Sequence, residues 1–331
     1  MKGLVISSSR NIFMVKPDAP GDGGRDGRWG ETVRKQVACR IKGKVLKGVE
    51  GYVNPLAPGD RVCFDLDPGH PHRGLIRDLE DRKNLLTRFN RQGQSSQLLA
   101  ANVDLVLCVT TPVSPPFRPR FLDRVLLQAD KAGIPPVIVC NKQDLYGGGR
   151  ADPDTEERLQ DWSRIGYPVF RVSARTGEGM EELQRSMARR FSVLVGQSGV
   201  GKSSLINALV PDLHLRVGSL NEKYDRGNHT TAMSVLLEIP SLGEGTGIID
   251  TPGMRCFIPD RLAAEELLFY MREFAPLAGK CTYGLSCSHR SEPGCKILEA
   301  VSSGVIHEDR YESFLRIHEE LASLGVSNTV S

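Results

Sequence analysis

The chain of 331 residues carries 43 Lys and Arg against 40 Asp and Glu, a formal net charge of +3, and 40% of it is apolar. That length exceeds one typical domain, so two or three are expected, and the apolar share is ordinary for a soluble globular protein. No stretch approaches 18 uninterrupted apolar residues, and the opening MKGLVISSSRNIF lacks the apolar core and cleavage site of a signal peptide, so neither a spanning helix nor export is expected.

A cytoplasmic location follows as the expectation, in which the eight cysteines stay reduced. Cys281, Cys287 and Cys295 cluster beside His289. Cys39, Cys63, Cys108, Cys140 and Cys256 are scattered, and most sit in apolar runs that suit small core residues.

Residues 1–90 read as a small all-β domain. Strand-like runs at 11–16, 33–41, 61–65 and 74–76 alternate with Gly- and Pro-rich turns such as 54–60, and the Gly- and Asp-rich tract 17–30 reads as a loop. Here 17 Lys and Arg stand against 11 Asp and Glu, a larger excess than the whole chain carries. A small basic barrel suggests nucleic acid, because phosphates supply most non-specific affinity; a solvated basic surface is the alternative.

Residues 91–260 alternate apolar strands with amphipathic helices. Strands are expected at 104–109, 137–140, 169–172, 191–195, 235–239 and 247–249. A helix is expected at 120–132, with Phe121, Leu122, Val125, Leu126 and Ala129 on one face and Gly133 as its stop. Such alternation means an α/β sheet with its sites at the carboxyl ends of the strands. In residues 261–331, helices are expected at 263–274 and 309–324, with the cysteine cluster between them.

The run Phe191-Ser-Val-Leu-Val195 leads straight into Gly196, Gln197, Ser198, Gly199, Val200, Gly201, Lys202, Ser203 and Ser204, a G-x-x-x-x-G-K-S phosphate loop between strand and helix. Backbone N–H groups and the helix N-terminus would receive the phosphates. Lys202 would neutralise the β- and γ-phosphates and Ser203 would hold Mg²⁺. Asp250-Thr-Pro-Gly253 adds a second acidic ligand for Mg²⁺ in Asp250 and an N–H for the γ-phosphate in Gly253.

Base choice falls to Asn141, Lys142 and Asp144. The Asp144 carboxylate can accept from both N1 and N2 of guanine, which adenine cannot match. Asn141 would orient the loop, the Lys142 stem would cover the base, and the Ala174 N–H of Ser173-Ala174 would donate to guanine O6. These base-reading pieces precede the phosphate loop, the reverse of the ordinary order, so the domain reads as circularly permuted.

Between the phosphate loop and Asp250 lies the polar segment 221–231. Thr230 or Thr231 would reach Mg²⁺ when the γ-phosphate is present, with Thr231 the preferred choice. Met254 stands where many GTPases place a water-orienting Gln, which predicts slow intrinsic hydrolysis. His229 is the candidate replacement, against the plainer reading of an exposed loop histidine. Cys281, Cys287, His289 and Cys295 make a Cys₃His set suited to one structural zinc ion, against the alternative of coincident core cysteines.

A basic β domain, a permuted GTPase and a Cys-x5-Cys-x-His-x5-Cys terminus, in that order, resemble the ribosome small-subunit-dependent GTPase family, RsgA, over nearly the whole chain. Asn102-Val-Asp104 and Asp250-Thr-Pro-Gly-Met-Arg255 also resemble its motifs. The resemblance implies an N-terminal OB-fold, a central α/β circularly permuted P-loop GTPase and a mainly helical zinc-binding terminus. It further implies ribosomal RNA binding, and a part in late maturation of the small ribosomal subunit, whose binding stimulates hydrolysis of GTP to GDP and phosphate. The family's glycine-x-histidine-threonine-threonine switch falls on Gly227-Asn228-His229-Thr230-Thr231; Asn228 and the following Ala232 replace the family's usual Arg or Gln and third Thr. A monomer without membrane attachment is expected. The rivals are a GTP-dependent RNA-binding or signalling module with incidental hydrolysis, and a GTPase of the large subunit.

Overall fold

The structure is a computed structural model that describes residues 1–9, 11–18, 36–41, 46, 49, 51–91, 93–146, 153–210 and 234–328. The switch segment with His229, Thr230 and Thr231, and most of the tract 17–30, lie outside the described residues.

Five strands form the N-terminal barrel: β1 (Lys2–Ser9), β2 (Ile12–Pro17), β3 (Val37–Ile41), β4 (Arg61–Asp67) and β5 (His70–Leu79). Their order is β1-β2-β3-β5-β4, and β4 returns to pair with β1, which closes the sheet and leaves no edge. Alternate residues point inward, as Phe13 and Val15 on β2 and Val62 and Phe64 on β4 show.

A hairpin of β6 (Leu85–Asn90) and β7 (Ser95–Ala101) follows the barrel. The next sheet contains β8 (Leu105–Thr110), β9 (Pro136–Cys140), β10 (Val169–Arg171), β11 (Phe191–Gly196), β12 (Val235–Glu238) and β13 (Gly247–Asp250). Strands β10-β9-β8-β11-β13 run parallel; β12 is antiparallel to β13 and meets β1 through Ser7 and Val235, so one sheet continues into the barrel.

Every residue of β8 and β9 is buried, as a parallel strand covered on both faces requires. Val106 and Cys108 turn to the layer of α1 (Pro119–Lys131) and α2 (Pro153–Arg164). Leu105, Leu107 and Val109 turn to the layer of α3 (Met180–Met187) and α4 (Lys202–Leu209). On α1, the five apolar residues expected to share a face are all buried, and Gly133 ends the helix at φ +66°.

The terminal part holds α5 (Lys296–Ser302) and α6 (Glu308–Asn328), preceded by 3₁₀ turns at Ala264–Tyr270, Ala275–Leu277 and Gly284–Ser286. Of the helix expected at 263–274, only 264–270 is helical, and it is 3₁₀; 271–274 is turn. Its buried residues recur three apart (Ala264 with Leu267, Leu268 with Met271, Met271 with Phe274), a spacing that a three-residue turn also satisfies, and Pro276 forbids continuation.

A buried ionic seam fastens this part to the GTPase layer. Asp123 of α1 accepts from Arg310 Nη1 (2.7 Å) and Ser313 Oγ (2.6 Å) of α6, and from Trp162 Nε1 (3.0 Å) and Arg158 Nη2 (3.2 Å) of α2. Burial by itself raises the Asp123 pKa, but Arg310 and Arg158 outweigh it and hold the carboxyl below its usual range. Breaking such a pair costs about 3–5 kcal/mol, because it strands the partner charge.

Of the five scattered cysteines, Cys39, Cys108 and Cys140 are buried, Cys63 is half-buried and Cys256 is exposed. Burial pushes the Cys39 and Cys140 thiols up to about 12, consistent with inert core positions. Among the described residues, no helix is long and apolar enough to cross a membrane.

Candidate nucleotide site and metal centre

The phosphate loop leaves the carboxyl end of β11, inside the parallel sheet between β8 and β13, and enters α4 at Lys202. Gly201 has φ +92°, and a Cβ there would lie 2.4 Å from Asn141 Nδ2, so backbone and base-reading loop touch directly. Lys202 is buried, and its Nζ donates to the carbonyls of Gly196 (3.0 Å) and Gln197 (3.1 Å). Burial lowers its pKa, and the nearby Asp250 charge opposes that effect. Ser203 and Ser204 follow on the first turn of α4, both half-buried.

Asp250 closes β13, the strand beside β11. Its Oδ1 is buried without a hydrogen-bond partner, and burial raises its pKa to about 6 against the pull of Lys202. An orphaned carboxylate oxygen next to a phosphate loop fits a hydrated divalent cation, which would supply the missing partner. Gly253 lies flat against the phosphate loop: a Cβ there would sit 2.9 Å from Ser198 Cα. Met254 donates its N–H to Gly196 O (3.3 Å) and turns its side chain into the core, where it cannot orient water.

Three loops meet at Asn141. Its Nδ2 donates to Val200 O (3.1 Å) of the phosphate loop, and its Oδ1 accepts from the Ala174 N–H (3.1 Å). Lys142, at φ +66°, stretches over the loops and donates to Ser114 O and Gly199 O, both at 2.7 Å. Burial lowers the Lys142 pKa and the Asp144 charge resists. Asp144 Oδ1 accepts from Ser173 Oγ (2.6 Å), and Oδ2 is paired with Arg175 Nη2 (2.7 Å). Asn141, Asp144, Ser173, Ala174 and the phosphate loop thus converge, with Asp250 and Gly253 on the loop's other side.

Sequence reasoning missed Arg175 and the Ser114 carbonyl. A cation two residues after Ser173 is a faint signal for the first; a backbone acceptor leaves none for the second.

In the terminal part, one ligand atom from each of Cys281, Cys287, His289 and Cys295 lies within 4.8 Å of every other, and all four residues are buried. Cys281 Sγ is 3.8 Å from Cys295 Sγ and 3.6 Å from His289 Nδ1, which is 3.4 Å from Cys295 Sγ. Tetrahedral zinc with ordinary Zn–S and Zn–N bonds sets these edges at about 3.8 Å and about 3.5 Å. The donor set and its spacing suggest a zinc site. Tyr311 of α6 donates to His289 O (2.6 Å), and Phe314 meets the imidazole edge-on at 6.0 Å, which ties the cluster to the closing helix.

The profile of the RsgA GTPase family matches residues 79–258. A curated relative from Bacteroides fragilis, "Small ribosomal subunit biogenesis GTPase RsgA", is 37% identical over 326 residues, covering 97% of each chain. The crystal structure of YjeQ from Thermotoga maritima is similar at 31% identity and a TM-score of 0.67, covering 97% of this chain and 98% of that one. The fold is also that of YloQ, described as a circularly permuted GTPase, at 24% identity and a TM-score of 0.63 over 97% of this chain and 95% of the other. A phosphate-loop strand flanked by strands from both earlier and later in the chain is what such a permutation produces. By its matched profile, its full-length relatives and this topology, the chain belongs to the RsgA GTPase family.

Proposed function

We propose that this GTPase binds the small ribosomal subunit and its RNA, is stimulated by that subunit, and assists its late maturation in the cytoplasm, acting as a monomer. The observation that carries the reading is the match over 97% of both chains to a small-subunit biogenesis GTPase, which spans barrel, GTPase sheet and cysteine terminus together. Functional units at 1–90, 91–260 and 261–331 belong to the same proposal, with the hairpin of β6 and β7 straddling the first division.

Asn141 and Asp144 read guanine with Lys142 over its face; Ser173 steadies Asp144, and the Ala174 N–H leaves Asn141 Oδ1 for O6. The backbone of Gly196, Gln197, Ser198, Gly199, Val200 and Gly201 and the start of α4 at Ser203 and Ser204 cradle the phosphates, and Lys202 leaves its carbonyl partners for phosphate oxygens. Ser203, Asp250 and one of Thr230 and Thr231 are the residues that would hold Mg²⁺, whose charge offsets that of the phosphates. Gly253 presents its N–H to the γ-phosphate, and His229 orients the attacking water in place of the buried Met254. The Cys₃His set holds one structural zinc ion.

GTP turnover by the purified protein, alone and with small or large ribosomal subunits, tests the reading. Strong stimulation by the small subunit alone is expected. Equal or greater stimulation by the large subunit would overturn it, and no stimulation by either would favour an RNA-binding module with incidental hydrolysis. His229→Ala is expected to cut stimulated turnover while nucleotide still binds; wild-type turnover would remove His229 from the mechanism.

A further inference from the structure

A cavity of about 460 Å³ opens between the start of α1, the chain just past Gly253 and the flank of α6. It lies beside the nucleotide site, since Gln197 of the phosphate loop is part of its wall. Phe117, Phe121, Phe257 and Ile258 supply an apolar lining, while Arg118 and Arg255 stand exposed at it.

The charges that reach this cavity are unevenly matched. Arg120 and Arg124 are paired with Glu312 and Glu320 of α6, and Asp309 lies 3.8 Å from Arg158. Arg118 and Arg255 make no ion pair or side-chain hydrogen bond among the described residues. The Gln197 carboxamide makes no hydrogen bond there either. An amide and two guanidinium groups without a protein partner, beside an aromatic lining, are free to bond the polar atoms of a ligand.

We infer that this cavity is a second ligand site, for a nucleoside monophosphate unit. An arginine fork matches a phosphate, which accepts from guanidinium in paired, charge-assisted bonds, and the lining offers two that are unpaired. The phenylalanine lining suits a flat base, and Gln197 can donate to or accept from a base edge. The volume falls within the range of about 300–1,000 Å³ typical of small-molecule sites. The unit could be a free mononucleotide or one residue of a single RNA strand; the inference does not depend on which ribosomal subunit activates the enzyme. Because Gln197 belongs to the phosphate loop and Arg255 follows Met254 directly, occupancy would bear on both walls of the GTP site.

Cys256, an exposed thiol on the cavity wall, provides the readout. The full chain is saturated with GDP, so that the guanine site is filled, and alkylated with N-ethylmaleimide in the presence of AMP or of a short single-stranded oligoadenylate. Peptide mapping follows the rate at Cys256, with half-buried Cys63 in the barrel as internal control. At least one probe is expected to slow Cys256 severalfold and leave Cys63 unchanged, and R118A/R255A is expected to abolish the protection while GDP still binds. Protection by AMP identifies a free nucleotide as sufficient; protection by the oligonucleotide alone identifies an RNA strand. An unchanged Cys256 rate with both probes, or protection that survives R118A/R255A, overturns the inference. If the double variant fails to bind GDP, Arg255→Gln alone is used, with reduced protection expected and full protection counting against the site.

Discussion

The cysteine cluster and the candidate nucleotide site are both built from buried polar groups, yet they differ in how those groups are partnered. Around the cysteines, four donor atoms already converge at distances that one tetrahedral ion sets, and α6 is fastened to them through Tyr311 and Phe314. At the nucleotide site the side chains satisfy one another instead. Lys202 is turned onto its own loop, Lys142 bridges Ser114 and Gly199, and Asp144 is held by Ser173 and Arg175. The first arrangement suits an ion bound as part of folding. The second exchanges internal contacts for ligand contacts, so its affinity is a difference between two sets of bonds.

Removing the metal should produce the largest effect. Apparent binding energies of structural zinc run to about 10–16 kcal/mol, as large as the stability of a whole domain. Chelation, or Cys295→Ser, is expected to release about one zinc per chain and expose 281–328 to proteolysis, while GDP still binds. Metal content by atomic absorption and peptide mapping of the cuts check it. A terminus that stays protease-resistant after losing its metal would erase the contrast drawn above.

At the nucleotide site, Asp144→Asn tests base reading without disturbing the fold. Two bonds from guanine to a charged acceptor contribute about 1.5–3 kcal/mol each, so GDP affinity should fall roughly 10²- to 10⁴-fold. An amide at this position can donate where the carboxylate could only accept, so xanthosine diphosphate, with a carbonyl in place of the 2-amino group, should gain affinity. Equal GDP affinity in variant and wild type would remove Asp144 from base recognition.

How much of this was legible in the sequence depended on whether a feature is local. The phosphate loop, Asn141 to Asp144, and Asp250 to Gly253 are short runs whose chemistry dictates their residues, and the permutation followed from their order alone. The face of α1 was legible because 3.6-residue spacing survives any context. The 3₁₀ turns at 264–277 were not, because an apolar spacing of three fits two helix types. Closure of the barrel through β1 and β4, and its continuation into β12, depend on pairings between distant residues such as Ser7 and Val235. The seam at Asp123 was equally hidden, since an acid inside an apolar helical face shows nothing of the two arginines that later surround it.

Asp250 sharpens the comparison through pH. Burial disfavours its charge and pushes the carboxyl up to about 6 in the folded protein, from an ordinary 3.8. Between those values the native state binds more protons than the unfolded chain, so stability falls as pH rises through the window and levels off above about 6. The shift corresponds to at most about 3 kcal/mol. Asp250→Asn should remove this slope and leave the ligand-free protein more stable at pH 7. Urea midpoints of wild type and variant at pH 4.5 and pH 7 isolate the contribution from that of other carboxylates, which titrate in both. A pH-independent difference between the two proteins would mean that Asp250 is not held in a costly environment.

The smallest effect concerns Arg175, whose exposed side chain is paired with Asp144 Oδ2. In the proposed reading guanine takes that oxygen, so the arginine would compete with the base for the same acceptor. The arginine side of the pair is open to solvent, which holds its worth to about 0.2–1 kcal/mol, so Arg175→Ala should tighten GDP binding no more than about fivefold. Its diagnostic is salt. Added salt screens the competing pair, so wild-type and variant affinities should converge as ionic strength rises. Fluorescence titration with a labelled GDP at low and high salt reads both quantities. If the variant binds GDP less tightly than wild type at every salt concentration, Arg175 is a partner of the bound nucleotide and not its rival, and the nucleotide site then holds one group already placed for its ligand, as the metal cluster does.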